Sequence, residues 1–292
     1  MTTALATFLV LLSTAGRADE FDINQQRCSW DADPQQRISA CTWVIDSGRL
    51  SGKQLAATFA VRGMVYLLDY QNDRAIEDFT QVIRLTPEDS DAYFLRGNGY
   101  ASNGHYDQAI NEYNESLRLK PDNAWAFYYR GNVYEDKGQT GRAIEDYSHV
   151  TRLKPDFPDA YLRRGYLHYV RSEFALAIRD YDHIIRLKPE DTAAKNNLAW
   201  ILATANDVRY RDGQRALGIA HELSAEISGN PNLIGTLAAA YAAVGDFPNA
   251  IRHESDAMTA ARENGSNLAQ HEERLRLYQS GQALSCPGGP CD

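Results

Sequence analysis

Residues 90–123 decide the fold, because the sequence SDAYFLRGNGYASNGHYDQAINEYNESLRLKPDN recurs in type along the chain. The next 34 residues read AWAFYYRGNVYEDKGQTGRAIEDYSHVTRLKPDF. Prolines keep the same interval, at Pro87, Pro121, Pro155 and Pro189. A fixed period of this length is the signature of a repeat architecture. One structural unit is therefore written at least four times in tandem.

Small residues occupy two fixed positions of each repeat, with aromatic residues beside them. The first is a glycine that an aromatic residue precedes by four positions, and the second is an alanine that an aromatic residue follows by four. The residues are Gly63, Gly97, Gly131 and Gly165, and Ala75, Ala109, Ala143 and Ala177. Spacings of three and four indicate helices. Each repeat is predicted to be two antiparallel helices, joined by a turn near its fifteenth position and closely packed where glycine faces alanine.

The pattern Arg-Gly-x-x-Tyr, Ala-Ile-x-x-Tyr, Leu-x-Pro resembles the tetratricopeptide repeat in its bacterial form. The resemblance implies an all-α fold, an α-solenoid in which helix-turn-helix hairpins form a right-handed superhelix. Six repeats are predicted, at 56–89, 90–123, 124–157, 158–191, 192–230 and 231–265, the last two more divergent. About five extra residues near Val208 part the two helices of the fifth. Because terminal units of solenoids need a cover, a capping helix is predicted within 266–282.

The first 55 residues lie outside the full repeats. Residues 1–18 hold a short apolar run followed by small residues, and they are interpreted as a cleaved signal peptide. A frayed apolar start of a cytosolic chain is the alternative. Residues 19–55 are predicted to contain a half repeat, with a lone helix of the second type at 34–47. The signal interpretation predicts a periplasmic or secreted protein, with no membrane insertion after cleavage.

The four cysteines also lie outside the full repeats, Cys28 and Cys41 around the half repeat and Cys286 and Cys291 in the tail at 283–292. In an oxidising compartment they are expected to form disulfides. Pairing along the sequence would join Cys28 to Cys41 and Cys286 to Cys291, although the sequence leaves three pairings open. A redox pair and a metal site are the alternatives. The seven histidines are scattered without paired spacing, so no metal or other cofactor is expected.

Composition and motifs favour a binding protein over an enzyme. The net charge of −9 argues against a nucleic-acid partner and against an anionic membrane surface. The sequence shows no glycine-rich phosphate loop, nucleophile elbow or metal-binding helix motif. Its acidic residues follow the repeat, whereas a catalytic constellation must occur once.

Two sets of arginines recur with the period. Those before the glycines are predicted to pair with acidic residues within or between hairpins, although a line of ligand-binding arginines is the alternative. They are Arg62, Arg96, Arg130 and Arg164, with Asp78, Glu112, Asp146 and Asp180. The second set falls in the last turn of each second helix, where the helix dipole favours positive charge. These residues are Arg84, Arg118, Arg152 and Arg186, and nothing in the sequence requires a ligand for them.

The resemblance places the binding surface on a concave face lined by the first helices, at repeat positions 2, 5, 9, 12 and 13. The candidate residues there are Phe94, Asn98, Trp125, Tyr128, Asn132, Leu162, Tyr166, Tyr169, Asn196 and Trp200. Aromatic residues could receive apolar side chains of a bound peptide, and asparagines could bind its backbone. The alternative is that the aromatic residues pack between neighbouring first helices.

These features together predict an adaptor or scaffold that binds a peptide or helix of another protein. A self-assembling structural protein, and hence a homo-oligomer, is one alternative. A module that stacks its aromatic residues on a glycan or a cell-wall fragment is another.

Overall fold

The computed structural model describes residues 19–30, 33–223 and 229–285. The expected signal peptide and the expected pairing of Cys286 with Cys291 lie outside these residues. Fifteen α-helices and one short 3-10 helix succeed one another in the described part of the chain. The fold is all-α, an α-solenoid of helical hairpins, which confirms the fold class predicted from the repeat. The chain divides into two compact units, Met1–Gly138 and Gln139–Asp292.

In the first unit each helix packs on the next along the chain, and α3, α5 and α7 also contact one another in that order. These three are the first helices of successive repeats, so they form a layer of their own. The helices are α1 (Glu20–Trp30), α2 (Pro34–Asp46), α3 (Gly52–Leu68), α4 (Asn72–Leu85), α5 (Ser90–Ser102), α6 (Tyr106–Leu119) and α7 (Ala124–Asp136).

The second unit has the same serial packing, and its first helices α9, α11 and α13 contact one another in order. The 3-10 helix Val208–Tyr210 lies in the stretch of extra residues that the sequence shows, and α15 packs on α14 as a cover. The helices are α8 (Thr140–Leu153), α9 (Pro158–Val170), α10 (Phe174–Leu187), α11 (Thr192–Thr204), α12 (Gly213–Glu222), α13 (Pro231–Ala243), α14 (Phe247–Glu263) and α15 (Ala269–Gln279).

The turn at position 15 of the repeat requires a left-handed backbone. Gly104 and Gly245 adopt φ of 73° and 83° there. Tyr70 and Ser172 occupy the same repeat position with φ of 57° and 58°, although they carry a Cβ. A residue with a Cβ pays roughly 1–2 kcal/mol in this conformation. The hairpin geometry therefore holds two residues in strain where glycine would be unstrained.

The repeat glycines face aromatic rings. A Cβ placed on Gly97 would lie 2.7 Å from the ring of Tyr113, and one on Gly165 would lie 2.9 Å from the ring of Tyr181. The sequence expectation that each glycine faces the repeat alanine is corrected in this detail, because the ring four residues after the alanine fills the space. Tyr113 and Tyr181 are at most 1% exposed, so the rings have no room to withdraw.

The amino-terminal helix α1 is an element that the repeat pattern does not show. It packs on α2, where the sequence predicts a lone helix. Cys28, its one buried residue, forms a disulfide with Cys41 of α2. The disulfide thus adds a covalent link to the contact between the rings of Phe21 and Trp43, whose centroids lie 6.3 Å apart.

The arginines before the glycines connect helices in two directions. Arg62 pairs with Asp78 at 2.7 Å, Arg96 with Glu112 at 2.8 Å and Arg164 with Asp180 at 2.6 Å, each across its own hairpin. The predicted pairing is thereby confirmed for these three. Each guanidinium also donates to a hydroxyl on the preceding second helix, and the acceptors are Thr42, Thr80 and Ser148 respectively.

Candidate functional site

Four aromatic side chains on α5 and α7 form what we call the aromatic cluster: Phe94, Trp125, Tyr128 and Tyr129. The ring centroids of Trp125 and Tyr128 lie 6.3 Å apart, and those of Tyr128 and Tyr129 lie 5.6 Å apart, both edge to face. Phe94 joins α5 to the cluster at 5.5 Å from Tyr129. Trp125 is 43% exposed and Tyr129 is 38% exposed. The cluster is therefore an apolar surface of the first unit that solvent reaches.

Tyr129 belongs to this surface although it was not among the predicted residues. The repeat positions taken from the family resemblance pass over it. Ordinary helix spacing would have found it, because Trp125 and Tyr129 are four residues apart and residues at this spacing share a helix face.

Two of the three predicted asparagines, Asn98 and Asn132, lie on the helices that carry the cluster. Asn98 of α5 accepts a hydrogen bond of 2.9 Å from the hydroxyl of Tyr113. Burial raises the pKa of Tyr113, which keeps this hydroxyl protonated as a donor. The bond orients the Asn98 amide, whose NH₂ group still offers two donors. Asn132 follows Tyr128 by one helical turn and is half-buried.

In the second unit the predicted residues divide into one exposed side chain and several that pack inward. Tyr166 is 44% exposed, whereas Tyr169 is buried. Leu162 and Trp200 pack against the core of this unit. These placements leave Tyr166 as the exposed aromatic residue among the predicted positions of α9 and α11.

Trp200 is held from two sides. Its indole Nε1 donates to the hydroxyl of Tyr169 at 2.9 Å, and the guanidinium of Arg274, from α15, lies 4.8 Å from its ring centroid. Asn196, one turn earlier on α11, has a buried Oδ1 with no hydrogen-bond partner in the described chain. For Tyr169 and Trp200 the structure thus shows the internal packing that was the alternative to a ligand surface.

Two properties of the described residues bear on the class of site. They include no helix with both the length and the apolar character needed to cross a bilayer. Nor do they bring together three histidine, cysteine or acidic side chains in an arrangement suited to a metal ion. What the cluster offers is exposed aromatic surface with amide donors at its edge.

Comparison with known proteins identifies the repeat type in part of the chain and the fold. A model of the TPR repeat matches residues 97–138 and 131–170, and a model of the tetratricopeptide repeat matches residues 162–208. A search of curated proteins found no match.

Solved structures share the fold at low sequence identity. The protein YrrB is 23% identical, with a TM-score of 0.57 over 68% of this chain and 98% of its own. A tetratricopeptide repeat protein from Parabacteroides merdae is 17% identical, with a TM-score of 0.57 over 89% of this chain and 99% of its own. MamA from Desulfovibrio magneticus is 17% identical, with a TM-score of 0.53 over 61% of this chain and 99% of its own. The recurring residues, the helical hairpins and these matches together identify tetratricopeptide repeats within residues 97–208 of the chain.

Proposed function

We propose that the chain is an adaptor that binds a short segment of another protein, a peptide or a helix, on the first helices of its hairpins. The aromatic cluster is the observation that carries the proposal. Exposed aromatic side chains in mutual contact are typical of the central residues of protein interfaces. An isolated exposed tyrosine would be ordinary, but four neighbouring rings on two adjacent helices form a surface that a partner could cover.

The exposed part of Trp125 sets the size of the expected effect. At 43% exposure, about 100 Å² of its surface remains for a ligand to cover. Covering that area would contribute about 2.5 kcal/mol at the usual coefficient for apolar burial. This magnitude matches that of a residue that dominates an interface.

The amides beside the cluster suit the backbone of the bound segment. The Asn98 amide is oriented by Tyr113 and offers N–H donors to peptide carbonyls. The solved structure of YrrB, described as a TPR protein with an unusual peptide-binding site, supports a peptide as the ligand class for this fold.

Peptides selected from a random phage-displayed library against the full chain would test the proposal. Binding of the selected peptides, followed by fluorescence polarisation, should weaken by a factor of roughly 60 in Trp125→Ala, the equivalent of the burial estimated above. Trp30→Ala is the matched control, because Trp30 is 85% exposed on α1, away from α5 and α7. Equal affinities in the two variants would contradict the proposal. Sedimentation velocity accompanies the assay, since defined oligomers formed without peptide would favour the self-assembling alternative.

We also propose that the protein acts in the periplasm or outside the cell. The Cys28–Cys41 disulfide supports an oxidising compartment. Residues 1–18 fused to an alkaline phosphatase that lacks its own signal should export an active enzyme, whereas a fusion that begins at residue 19 should not. Equal activity of the two fusions would contradict the assignment.

A further inference from the structure

A basic cleft of about 450 Å³ lies among α8, α9 and α10 in the second unit. Four arginines line it, Arg152, Arg164, Arg179 and Arg186, against a single carboxylate, that of Asp180. In a chain whose net charge is −9, such a concentration of positive charge is unusual. The cleft belongs to the second unit, whereas the aromatic cluster belongs to the first.

Asp180 neutralises one of these arginines and leaves the others. Its two carboxylate oxygens accept from Arg164 Nη2 at 2.6 Å and from Arg164 Nε at 2.8 Å. The remaining Arg164 nitrogen, Nη1, donates to the hydroxyls of Ser148 and Thr151. All three nitrogens of the Arg164 guanidinium are thus hydrogen-bonded within the protein, which fixes this side of the cleft.

The other three arginines have exposed side chains and no carboxylate partner among the described residues. Arg152 contacts the imidazole of His149 at 2.7 Å, which leaves its charge uncompensated. Arg179 and Arg186 lie on α10 and line the same cleft. Because three positive charges line one cleft, an anion that enters it would be attracted by all of them.

The repeat provides an internal comparison, because residues 34 apart occupy the same repeat position. Glu145 stands one repeat before Arg179, so the charge at this position is reversed. Two repeats before His183 stands Glu115, and there it pairs with Arg118 at 2.7 Å. Asn111 and Glu77 stand two and three repeats before Arg179, so no earlier repeat has a positive charge at this position. At the position of His183 the preceding repeat has His149. The positive charge of Arg179 therefore departs from the repeat, and such a departure is a candidate for function.

An aromatic wall adds a second kind of surface to the cleft. The ring of His183 stacks on that of Tyr161 with centroids 4.2 Å apart, and His183 Nε2 lies 3.0 Å from the carbonyl oxygen of Pro155. Both rings line the cleft. A ligand can therefore meet cationic donors and a flat, partly apolar face in the same site.

We propose that the basic cleft binds a small phosphomonoester, with its phosphate among Arg152, Arg179 and Arg186 and its organic group near the Tyr161–His183 pair. Guanidinium groups form paired, charge-assisted hydrogen bonds with phosphate oxygens. Three paired contacts are more than the two oxygens of a carboxylate can accept, whereas the three terminal oxygens of a phosphomonoester can accept one pair from each guanidinium. The volume lies within the range of small-molecule sites and exceeds what a phosphate group alone would fill.

Isothermal titration calorimetry on the full chain tests the proposal, with inorganic phosphate, phenyl phosphate and benzoate as probes at constant ionic strength. Phenyl phosphate is expected to bind saturably and at least about tenfold more tightly than benzoate, because it offers more oxygen acceptors and a second charge. Arg179→Glu, which restores the charge found one repeat earlier, should weaken its binding by at least about tenfold. Arg186→Ala should weaken binding in the same direction. Arg84→Glu is the control, because it makes the same charge change on an exposed residue of the other unit.

The outcomes separate the ligand sources. Tighter binding of phenyl phosphate than of inorganic phosphate supports an ester with an organic group. Equal binding of the two, lost in Arg179→Glu, supports the phosphate site and overturns the role of the aromatic pair. Absence of saturable binding, or equal losses in Arg179→Glu and Arg84→Glu, overturns the proposal. Should Arg179→Glu fail to fold by circular dichroism, Arg186→Ala and the NMR shifts of wild-type arginine Nε–H groups on titration with phenyl phosphate decide the question.

Discussion

Replacing Arg62 by methionine tests how the buried ion pairs contribute to stability. Arg62 donates to both oxygens of Asp78, at 2.7 and 2.9 Å, and the two side chains are 15% and 4% exposed. Methionine keeps an apolar stem and removes the guanidinium, so the Asp78 carboxylate stays buried without its partner. Breaking a buried pair in this way costs about 3–5 kcal/mol. Because a domain is stabilised by only about 5–15 kcal/mol, the loss should be large in any unfolding assay.

The pH dependence of the variant identifies the cause. Burial raises the pKa of Asp78, and Arg62 opposes that effect in the wild-type protein. Without Arg62 the folded-state pKa of Asp78 rises further above its unfolded value. The folded state then binds the proton more readily, so stability is retained at low pH and lost as pH rises through the folded-state pKa. The deficit of Arg62→Met should therefore be larger at about pH 8 than at about pH 5.

Urea unfolding followed by far-ultraviolet circular dichroism, at both pH values, measures the deficit. The double variant Arg62→Met/Asp78→Ala is the control, because it removes the stranded charge along with its partner. It should be more stable than Arg62→Met at the higher pH, even though it has lost more contacts. A double variant as unstable as the single one, or a single variant within about 1 kcal/mol of the wild type, would refute the reasoning.

Three further predictions follow from local features. Gly104→Ala should lower the unfolding free energy by about 1 kcal/mol and Ser172→Gly should raise it by about 0.5 kcal/mol, because both residues have a left-handed backbone. No atom lies within 4 Å of a Cβ placed on Gly104, so the change measures the backbone effect alone. A lower melting temperature in both variants would contradict this. Reduction of the Cys28–Cys41 disulfide should accelerate amide exchange in α1 and spare the repeat hairpins, so unchanged exchange in α1 would count against its covalent attachment. Burial lowers the pKa of His253, and the charge of Arg252 adds to the effect, so the unfolding free energy should fall as pH drops below about 6.5. His253→Phe should reduce this dependence on pH, and a variant with the wild-type dependence would contradict the prediction.

The hairpins could be predicted from the sequence because each repeat states the same packing requirement again. A glycine at one position leaves room for a large ring at another, as Gly97 does for Tyr113. Because this combination recurs in four repeats, it can be recognised in the sequence. Helix α1 carries no such signal. Its residues Glu20–Trp30 are mostly polar, and Cys28 is its one buried residue, so neither periodicity nor apolar pattern indicates it.

The candidate site was less accessible to sequence reasoning. Repeat positions point to Trp125 and Tyr128, which the structure brings into contact, but they treat Trp200 in the same way. The environment of Trp200 depends on Arg274, which lies in α15 beyond the last repeat. The basic cleft was missed because Arg152 and Arg186 each have a sufficient local explanation as residues of a last helical turn. Their convergence with Arg179 is a property of three helices at once.

The hydrogen bonds from the repeat arginines to hydroxyl groups all run from one hairpin to the helix that precedes it in the chain. Arg96 reaches back to Thr80 and Arg164 reaches back to Ser148, each on the preceding second helix. The hydroxyls of Thr80 and Ser148 already donate to carbonyls of their own helices, so the orientation of these acceptors does not depend on the hairpin that follows. A chain synthesised from its amino terminus can therefore form each arginine–hydroxyl hydrogen bond as soon as the hairpin that carries the arginine has folded. The hairpins can therefore pack on one another while the chain is being synthesised. Truncation from the carboxyl end leaves these hydrogen bonds intact in the hairpins that remain.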